Sequence, residues 1–480
     1  MDKDVYSLFK EDKMSRINTN IPALTAQHDL VRAQVALTTS LRRLSSGLRI
    51  NVAADDPSGL IVSELLRSEM VSISRAISNT TRATNIIATT EGALNEVNSL
   101  LVDIRDKVVE AASKGALSQQ EIDANQLQID SAVRSIARVA NSTAFGGRTL
   151  LNGNLDYVYS GIDGSNVAAA TVYAAQFAGN SNVPVVVNIA STASAARITF
   201  AGAGLTASQN VTIEIAGNKG SEVLSFVGST HISAIAFAIN AVKDATGVSA
   251  NATAAGMSLD STEVGSDQFV SVNALTGAFT VSAQRDEGAD AVATVNGTKV
   301  DATGNILSLT TVNLQARMDL DSGAAAGAST FYVTGGGALF QIGSKVNVNG
   351  QYNIGIQSIN PARLGRAGVG FLNDIVTGGQ YSLGNDGAGT ASKIVDEAIL
   401  AVSTLRGRLG ALQRNTFETN INSLRVSLEN VTAAQSDVRD TDFAKETANM
   451  TRAQILVAAG TSVLQTANTI PQNVLALLGR

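Results

Sequence analysis

Two long heptad patterns lie at opposite ends of this 480-residue chain, and they constrain its fold more than any other feature. In both, apolar residues recur at alternating steps of three and four, which is the spacing of a coiled-coil seam. A helix can bury so narrow a stripe only against another helix, so the sequence predicts that the two chain ends pair in one bundle. The residues predicted to serve the coiled-coil seam and assembly are Leu37, Leu41, Leu44, Leu48, Leu94, Val97, Leu101 and Ile104 near the N-terminus, and Val402, Leu405, Leu409, Leu412, Leu456, Val463, Val474 and Leu477 near the C-terminus.

The middle of the chain has a different composition, rich in Gly, Ala, Ser, Thr, Val and Asn, and residues 164–196 carry no charge at all. The alternation in VTIEI (211–215) and the run VPVVVNI (183–189) predict strands. VNV followed by Asn349-Gly350 predicts a strand that ends in a tight hairpin. We therefore expect an α+β multidomain fold: a long α-helical coiled-coil stem formed by both chain ends, with one or more β-rich outer domains inserted.

What the chain lacks excludes several classes of function. It has no Cys, so it can form neither disulfides nor thiolate metal sites, and it has no Cys nucleophile. His231 lies in THISAIA, which is not a zinc-binding His-Glu-x-x-His pattern. The net charge of −6 argues against broad nucleic-acid binding. We predict no enzyme activity, no cofactor, no metal and no membrane insertion.

The N-terminus has no basic segment followed by an apolar one, so a cleaved secretory signal is not expected. Met14 directly precedes SRINTNIPAL, and either Met1 or Met14 could be the true start. If Met14 is the start, residues 1–13 are an upstream extension.

The stretch RLSSGLRINVAADDPSG (43–59) holds two adjacent carboxylates, Asp55 and Asp56, beside basic residues. A catalytic dyad would need a pocket and a second polar cluster, and the sequence shows neither. Asp before Pro57 is a favoured helix start, because Asp caps the helix and Pro fits its first position. Ser45, Ser46 and Gly47 are expected to loosen the preceding helix. We interpret the stretch as a connector between two helices.

The motifs at both ends resemble those of bacterial flagellins. At the N-terminal end these are SRINTNIPALTAQ, RLSSGLRINVAADDPSG and TEGALNEVNSLLVDIRDKVVEAA, and at the C-terminal end SDVRDTDFAKE, QILVAAGTSVL and PQNVL. The resemblance covers residues 14–153 and 391–480, about half the chain. Residues 211–253 are similar to a repeat that many flagellins carry in their middle region.

The resemblance implies a structural subunit that is exported unfolded through the flagellar type III apparatus and polymerises into the extracellular filament for swimming. It implies an inner-core helix and connector at 14–54, a helical rod at 55–154 and 391–436, an inner-core helix at 437–480, and β-rich outer domains at 155–390. The implied partners are the chain itself, a cap protein, a hook–filament junction protein and an export chaperone at the C-terminal helix. A chain without Cys and with five Pro suits this passage, since few slow isomerisations delay folding.

The family also implies recognition by a Toll-like receptor through a helix that usually reads TEGALNEINNNLQRVREL. The aligned stretch here keeps Arg105, but Asp103 replaces the first arginine of RVREL and Lys107 replaces its leucine. We therefore expect weak receptor recognition.

Three alternatives remain open at this point. The chain could be a hook–filament junction protein, which has similar terminal helices. It could be a flagellin whose middle domain is an enzyme, or one whose Thr- and Asn-rich middle binds glycans or cells as an adhesin.

Overall fold

The computed structural model describes residues 19–113, 117–177, 182–202, 205, 210–253, 256–311, 313–385 and 387–478. The chain forms two compact units: one combines both chain ends, through Ile77 and from Asn422 onward, and the other comprises Ser78–Ile421. Residues 1–13 and Met14 lie outside the described residues. Long helices at both ends with β-structure between them confirm the predicted fold class.

The unit of the chain ends is built on a pair of long helices. α1 (Ile21–Ser46) packs along α8 (Phe443–Leu478), and the unit also contains the beginning of α2 (Pro57–Ala111) and most of α7 (Thr419–Arg439). Asn20 caps α1, since its Oδ1 accepts a hydrogen bond from the N–H of Ala23 at 3.0 Å. Its Nδ2 donates to the carbonyl of Ala467 on α8 at 2.8 Å, so one side chain starts α1 and ties it to its partner.

The second unit contains a helical rod made of the rest of α2, α3 (Gln119–Ser142) and α6 (Ala388–Leu412). A π-helical turn, Gln413–Glu418, leads from α6 into α7. Ser118 and Glu121 start α3 with a reciprocal capping box. The apolar seams of α2 and α6 are buried in one core with α3. Buried residues between Ala338 and Leu383 join that core, so the core of the rod includes residues from the range 155–390 for which the resemblance implies β-rich outer domains.

The middle region contains most of the strands and two short helices, α4 (Ile232–Ala241) and α5 (Lys243–Thr246). The strands are β1 Ala144–Phe145, β2 Arg148–Thr149, β3 Tyr157–Ser160, β4 Val167–Ala175, β5 Val183–Ser191, β6 Arg197–Ala201, β7 Val211–Gly217, β8 Gly220–Phe226, β9 Val248–Thr253, β10 Gly256–Ser261, β11 Phe269–Thr276, β12 Arg285–Glu287, β13 Val292–Val295, β14 Thr298–Lys299, β15 Asp301–Thr303, β16 Ile306–Thr310, β17 Leu314–Leu320, β18 Gly327–Gly336, β19 Ala338–Gln341, β20 Gln351–Ile354, β21 Gly365–Arg366 and β22 Gly370–Phe371.

These strands build two β-layered domains, one inserted in the other. The first sandwich packs the sheet β14-β13-β5-β18-β3 on the sheet β15-β16-β17-β4. The second packs the sheet β12-β11-β7-β8 with the sheet β6-β10-β9 and with α4. The chain crosses between them at Ser194 and Ala289, whose backbones exchange two hydrogen bonds of 2.9 and 3.2 Å. The remaining strands form three short hairpins, β1–β2, β19–β20 and β21–β22.

The sequence predicted two of these strands well and one poorly. Residues 211–215 lie in β7, and 183–189 lie in β5, as expected. Val346 lies in no strand, however, and Val348–Gly350 is a 3₁₀ turn. The Asn349-Gly350 pair thus lies at the end of a longer loop between β19 and β20, where the side chain of Asn347 caps the turn by accepting the N–H of Gly350.

Candidate functional site: the helical connector and the exposed stem faces

The connector begins where α1 ends. Gly47 has φ of 73°, a left-handed conformation that terminates the helix, and its N–H bonds the carbonyl of Arg43 at 2.9 Å. The hydroxyl of Ser46 accepts the N–H of Leu48 at 3.1 Å, while Ser45 lies exposed in the last turn of α1. Gly47 therefore ends α1 and changes the direction of the chain, because glycine tolerates a positive φ.

The connector then pairs with the segment that precedes α8. The backbones of Leu48 and Asp440 form an antiparallel bridge, and the N–H of Thr441 donates to the carbonyl of Gly47 at 2.9 Å. The N–H of Arg49 donates to the carbonyl of Arg439 at 2.7 Å, and its guanidinium donates to the carbonyl of Val438 at 2.6 Å. Two segments about 390 positions apart in sequence therefore fix each other's course.

Asp55 and Asp56 organise the start of α2. Asp55 Oδ2 accepts the N–H groups of Asn51 and Val52, both at 3.0 Å, and Arg42 donates to its Oδ1 at 2.7 Å. Asp56 Oδ1 accepts the N–H of Gly59 at 2.9 Å, which makes it the cap of the helix that Pro57 begins. The bond from Val52 to Asp55 and that from Gly59 to Asp56 hold the pKa of each carboxyl below its usual range. Both are therefore ionised acceptors at neutral pH, unlike a general acid.

Two residues that sequence reasoning missed complete the connector. Ile50 is buried there, and a Cβ at Gly59 would lie 2.6 Å from its Cδ1 and 2.5 Å from Oδ2 of Asp56. A side chain at position 59 would therefore have to displace Ile50 or the capping carboxylate of Asp56. The short motif Pro-Ser-Gly after two aspartates was the available signal.

The contact between α1 and α8 uses small residues. On α1 the buried residues are Ala26, Ala33 and Ser40, and on α8 they are Ala453, Ala467 and, beside Arg43 of α1, Glu446. A Cβ at Gly460 would stand 3.6 Å from the Cα of Leu30, so the two backbones approach closely at that point. Small side chains at the contact positions permit such an approach.

The predicted seam and assembly residues of this unit differ in exposure. Leu37, Leu44 and Leu48 are half-buried, whereas Leu41, Leu456 and Val463 are 48%, 52% and 56% exposed and face away from the α1–α8 contact. Heptad spacing identified the larger apolar residues, while the chain pairs its own ends through the smaller ones. The side chains of Val474 and Leu477 lie outside the described set.

In the rod the predicted seam residues are all buried. On α2 they are Leu94, Val97, Leu101 and Ile104, and on α6 Val402, Leu405, Leu409 and Leu412.

The residues aligned with the Toll-like-receptor motif lie on α2. Asp103 is exposed at a groove between α2 and α3, and Arg105 pairs with Asp396 of α6 at 3.2 Å. Lys107 donates to Glu110 at 2.7 Å and lies 3.2 Å from Asp106, and these carboxylates raise its pKa. Lys107 is thus already engaged with two acidic neighbours.

The described part of the chain contains no cluster of three or more His, Cys, Asp or Glu side chains arranged for a metal ion. It also contains no helix long and apolar enough to cross a membrane.

Comparison with family models gives three matches. The bacterial flagellin N-terminal helical region matches residues 17–156, the bacterial flagellin C-terminal helical region matches 392–478, and the flagellin hook IN motif matches 212–263. The third match overlaps the segment 211–253 singled out from sequence.

Several curated proteins are similar over nearly their whole length. A flagellin of Salmonella muenchen is 30% identical, with 96% of this chain and 99% of the relative covered. Flagellin C of Vibrio cholerae is also 30% identical, and flagellin A of Helicobacter pylori is 28% identical, both with the same coverage.

Solved structures show weaker likeness. FlgL of Xanthomonas campestris is 11% identical over 76% of this chain and 98% of its own, with a TM-score of 0.28. The flagellar cap protein FliD of Escherichia coli is 18% identical over 43% of this chain and 64% of its own, with a TM-score of 0.27. Scores this low carry no argument about function.

Proposed function

The chain belongs to the bacterial flagellin family and is a structural subunit of the flagellar filament, and from this premise we propose that the exposed apolar faces of α1 and α8 are its main assembly surface. Filament subunits associate through different patches of one surface, which yields an open helical fibre rather than a closed ring. The observation that carries the proposal is the set of large apolar side chains that these two helices leave exposed within one chain: Ile21, Leu24, Val31, Val35 and Leu41 on α1, and Phe443, Ile455, Leu456, Val463 and Ile470 on α8.

Burial of this surface would contribute a free energy comparable to the cost of association. Each side chain is about half exposed, so completing its burial would contribute about 1 kcal/mol, and the ten together about 10 kcal/mol. Association costs about 4–15 kcal/mol in lost freedom. The gain and the cost are of the same order, so stable assembly needs the whole face.

The layer assignment implied by the family stays a proposal. Residues 14–54 and 437–480 would form the inner layer around the central channel, residues 55–154 and 391–436 the rod layer, and the β-rich region the outer layer. The small-residue contact between α1 and α8 supports the inner-layer role, because it leaves the large side chains of both helices free for other copies.

The other family partners are proposed on the same basis. An apolar face on α8 would need cover before export, which suits an export chaperone bound to the C-terminal helix. The cap protein and the hook–filament junction protein would meet the same terminal helices at the two ends of the filament. The chain itself is proposed to have no enzymatic role.

Polymerisation of the purified chain tests the assembly surface directly. Val463→Asp places a charge in the exposed α8 face and should abolish filaments, as seen by light scattering and negative-stain electron microscopy, because a charge buried without a partner is costly. The matched control is Val346→Asp, which makes the same change at a valine 84% exposed in the β19–β20 loop. Removal of residues 1–50 or 437–480 should also stop polymerisation. Normal filaments from Val463→Asp or from both truncations would refute the proposal.

A further inference from the structure

One face of the first sandwich is unusual for a surface exposed to water. It is the outer face of the sheet β14-β13-β5-β18-β3, and its four strands from β13 to β3 present no charged side chain. The outward residues on these four strands are Val292 and Thr294 on β13, Pro184, Val186, Asn188 and Ala190 on β5, Ala328, Thr330, Tyr332 and Thr334 on β18, and Val158 and Ser160 on β3. We call this set the neutral face.

The alternation of burial along the strands shows that the neutral face points to solvent. Val185, Val187, Phe331 and Val333 point inward and are fully buried, while Val158 is 58% and Tyr332 41% exposed. Lys299 stands opposite Thr294 on the edge strand β14, a usual position for a lysine that discourages strand addition. The β14 edge of the sheet is thus protected, while its central strands are exposed to solvent.

The other sheet of the sandwich has a different outer face. There Arg317 and Asp319 on β17 pair at 3.2 Å, and Arg366 approaches both Asp319 and Glu397 of α6 at 3.6 Å. Arg408 of α6 lies 3.6 Å above the ring of Tyr173 on β4. These contacts connect the charged outer face of this sheet to the rod, and the neutral face lies on the opposite side of the sandwich.

We propose that the neutral face docks on the neutral face of a second copy of this chain that belongs to a neighbouring, parallel filament. A face without charge complements itself, since two copies can meet without placing like charges opposite each other. Two parallel filaments can be related by a two-fold axis along their length, which brings identical faces together without changing the joint to the rod. The inference rests on the proposed function, because it needs the chain in a filament.

The area of the neutral face is too small for two free subunits to associate but sufficient for filaments that present it many times. Four strands about 4.8 Å apart and about seven residues long cover on the order of 450 Å² per copy, or about 900 Å² for a pair. Stable independent interfaces bury about 1,200 Å² or more, so two free subunits should not dimerise. Filaments present the face many times on one rigid body, and multivalency makes a weak contact effective.

The net charge of the subunit determines how the association of parallel filaments depends on salt concentration. Its net charge of −6 repels parallel filaments at low ionic strength. The Debye length falls from about 30 Å at 0.01 M salt to about 3 Å at 1 M, so salt should promote filament association instead of dissolving it.

The experiment compares filaments of Thr330→Lys with filaments of Thr310→Lys. Thr330 is central on the neutral face, while Thr310 is an exposed threonine on β16 of the opposite sheet, so the two variants have the same charge change. Electron microscopy is used first to check that both variants form filaments of the usual length. A defect in polymerisation is thereby distinguished from a defect in the association of filaments. Low-speed sedimentation against salt then measures bundles. We expect unaltered and Thr310→Lys filaments to sediment increasingly with salt, and the bundled fraction of Thr330→Lys to fall about tenfold or more, because each contact then opposes two lysines.

A cysteine probe identifies what covers the face, because the chain has no other thiol. With copper(II)–phenanthroline added as the oxidant that takes up the two electrons of a thiol pair, we expect an intermolecular disulfide in bundles of Thr330→Cys filaments. Without the oxidant we expect protection from a soluble maleimide in bundles and full labelling in dispersed filaments. Equal sedimentation of the two lysine variants would overturn the proposal, as would free labelling in bundles. Protection of Thr330→Cys in dispersed filaments, where no neighbouring filament is present, would show that another surface or a bound glycan covers the position, and would also overturn the proposal.

Discussion

The guanidinium of Arg439 donates a hydrogen bond of 2.8 Å to Oε1 of Glu64, a residue 375 positions earlier in the chain. The other carboxylate oxygen of Glu64 accepts from Arg67, three positions away on α2, at 2.7 Å. Glu64 thus holds one arginine of its own helix and one from the end of α7. The contact with Arg67 is local, whereas the contact with Arg439 connects the N-terminal to the C-terminal part of the stem.

Loss of the long-range contact should impair the stem more than loss of the local one. Arg439→Ala removes the bond to Glu64 next to the backbone contact between Arg439 and Arg49, whereas Arg67→Ala removes an exposed pair of a type worth about 0–1 kcal/mol. We expect Arg439→Ala to raise the concentration needed for polymerisation several-fold and Arg67→Ala to leave it near that of the unaltered chain. Light scattering over a concentration series measures this. Equal effects would mean that the contact between the two ends has no special weight.

Gly47 provides a test of the turn that starts the connector. Its φ of 73° costs an L-residue roughly 1–2 kcal/mol, and the nearest atom to an added Cβ is 4.0 Å away, so Gly47→Ala suffers from backbone conformation without a clash. Asparagine tolerates this conformation better than alanine. The melting temperature of filaments should therefore fall more for Gly47→Ala than for Gly47→Asn. The reverse order would show that φ is not the constraint.

The rod core offers two neighbouring positions with opposite burial. Leu101 is fully buried and Val102 is 50% exposed. Leu101→Ala should destabilise the rod by about 2–5 kcal/mol through lost burial and the cavity left behind. Val102→Ala should change its stability by less than about 0.5 kcal/mol. Denaturant unfolding of the purified monomer measures both, and similar midpoints would contradict the assigned core.

The sequence predicted the rod more accurately than the α1–α8 pair, and side-chain size explains the difference. In the rod the large residues at heptad spacing, such as Leu94 and Leu405, are the ones buried within the chain. On α8 large and small apolar residues follow neighbouring stripes, and periodicity alone cannot tell which stripe contacts α1. The close approach at Gly460 selects the small one and leaves Leu456 and Val463 outward.

The connector was interpretable from sequence because its signals are local. Asp before Pro and Gly after a helical run indicate a helix start and a helix end wherever they occur. The pairing of Leu48 with Asp440 depends on a tertiary contact between distant segments, and no local pattern encodes it. The neutral face could likewise not be predicted from the sequence, because only the strand registers show which residues of different strands lie on the same side of the sheet.

Acid should loosen the connector. Bonding to backbone N–H groups lowers the pKa of Asp55 and Asp56 in the folded chain, so their contribution to stability is complete above the ordinary value of about 3.9 and is lost as pH falls through the lowered folded value. Asp55→Asn should lower filament stability at pH 7 and flatten its dependence on pH below about 4. The control is Asp29→Asn, at an exposed aspartate 3.7 Å from Arg32, which should alter neither. Thermal melting at a series of pH values gives both curves, and parallel curves for all three proteins would contradict the assignment.

Recognition by a Toll-like receptor is expected to be weak, and α2 offers a gain-of-function test. Asp103 replaces an arginine of the family motif and lies exposed, while Lys107 replaces a leucine and is held by Glu110. An opposed charge at a buried contact costs about 2–5 kcal/mol, so removing the mismatch should raise potency by about tenfold or more. A receptor-reporter assay on titrated monomer should rank Asp103→Arg with Lys107→Leu above Asp103→Arg, then Asp103→Asn, then the unaltered chain. Because Asp103→Asn removes the charge without restoring arginine, it separates relief of repulsion from a new contact. Full potency of the unaltered chain would refute the prediction, since α2 would then engage the receptor despite both replacements.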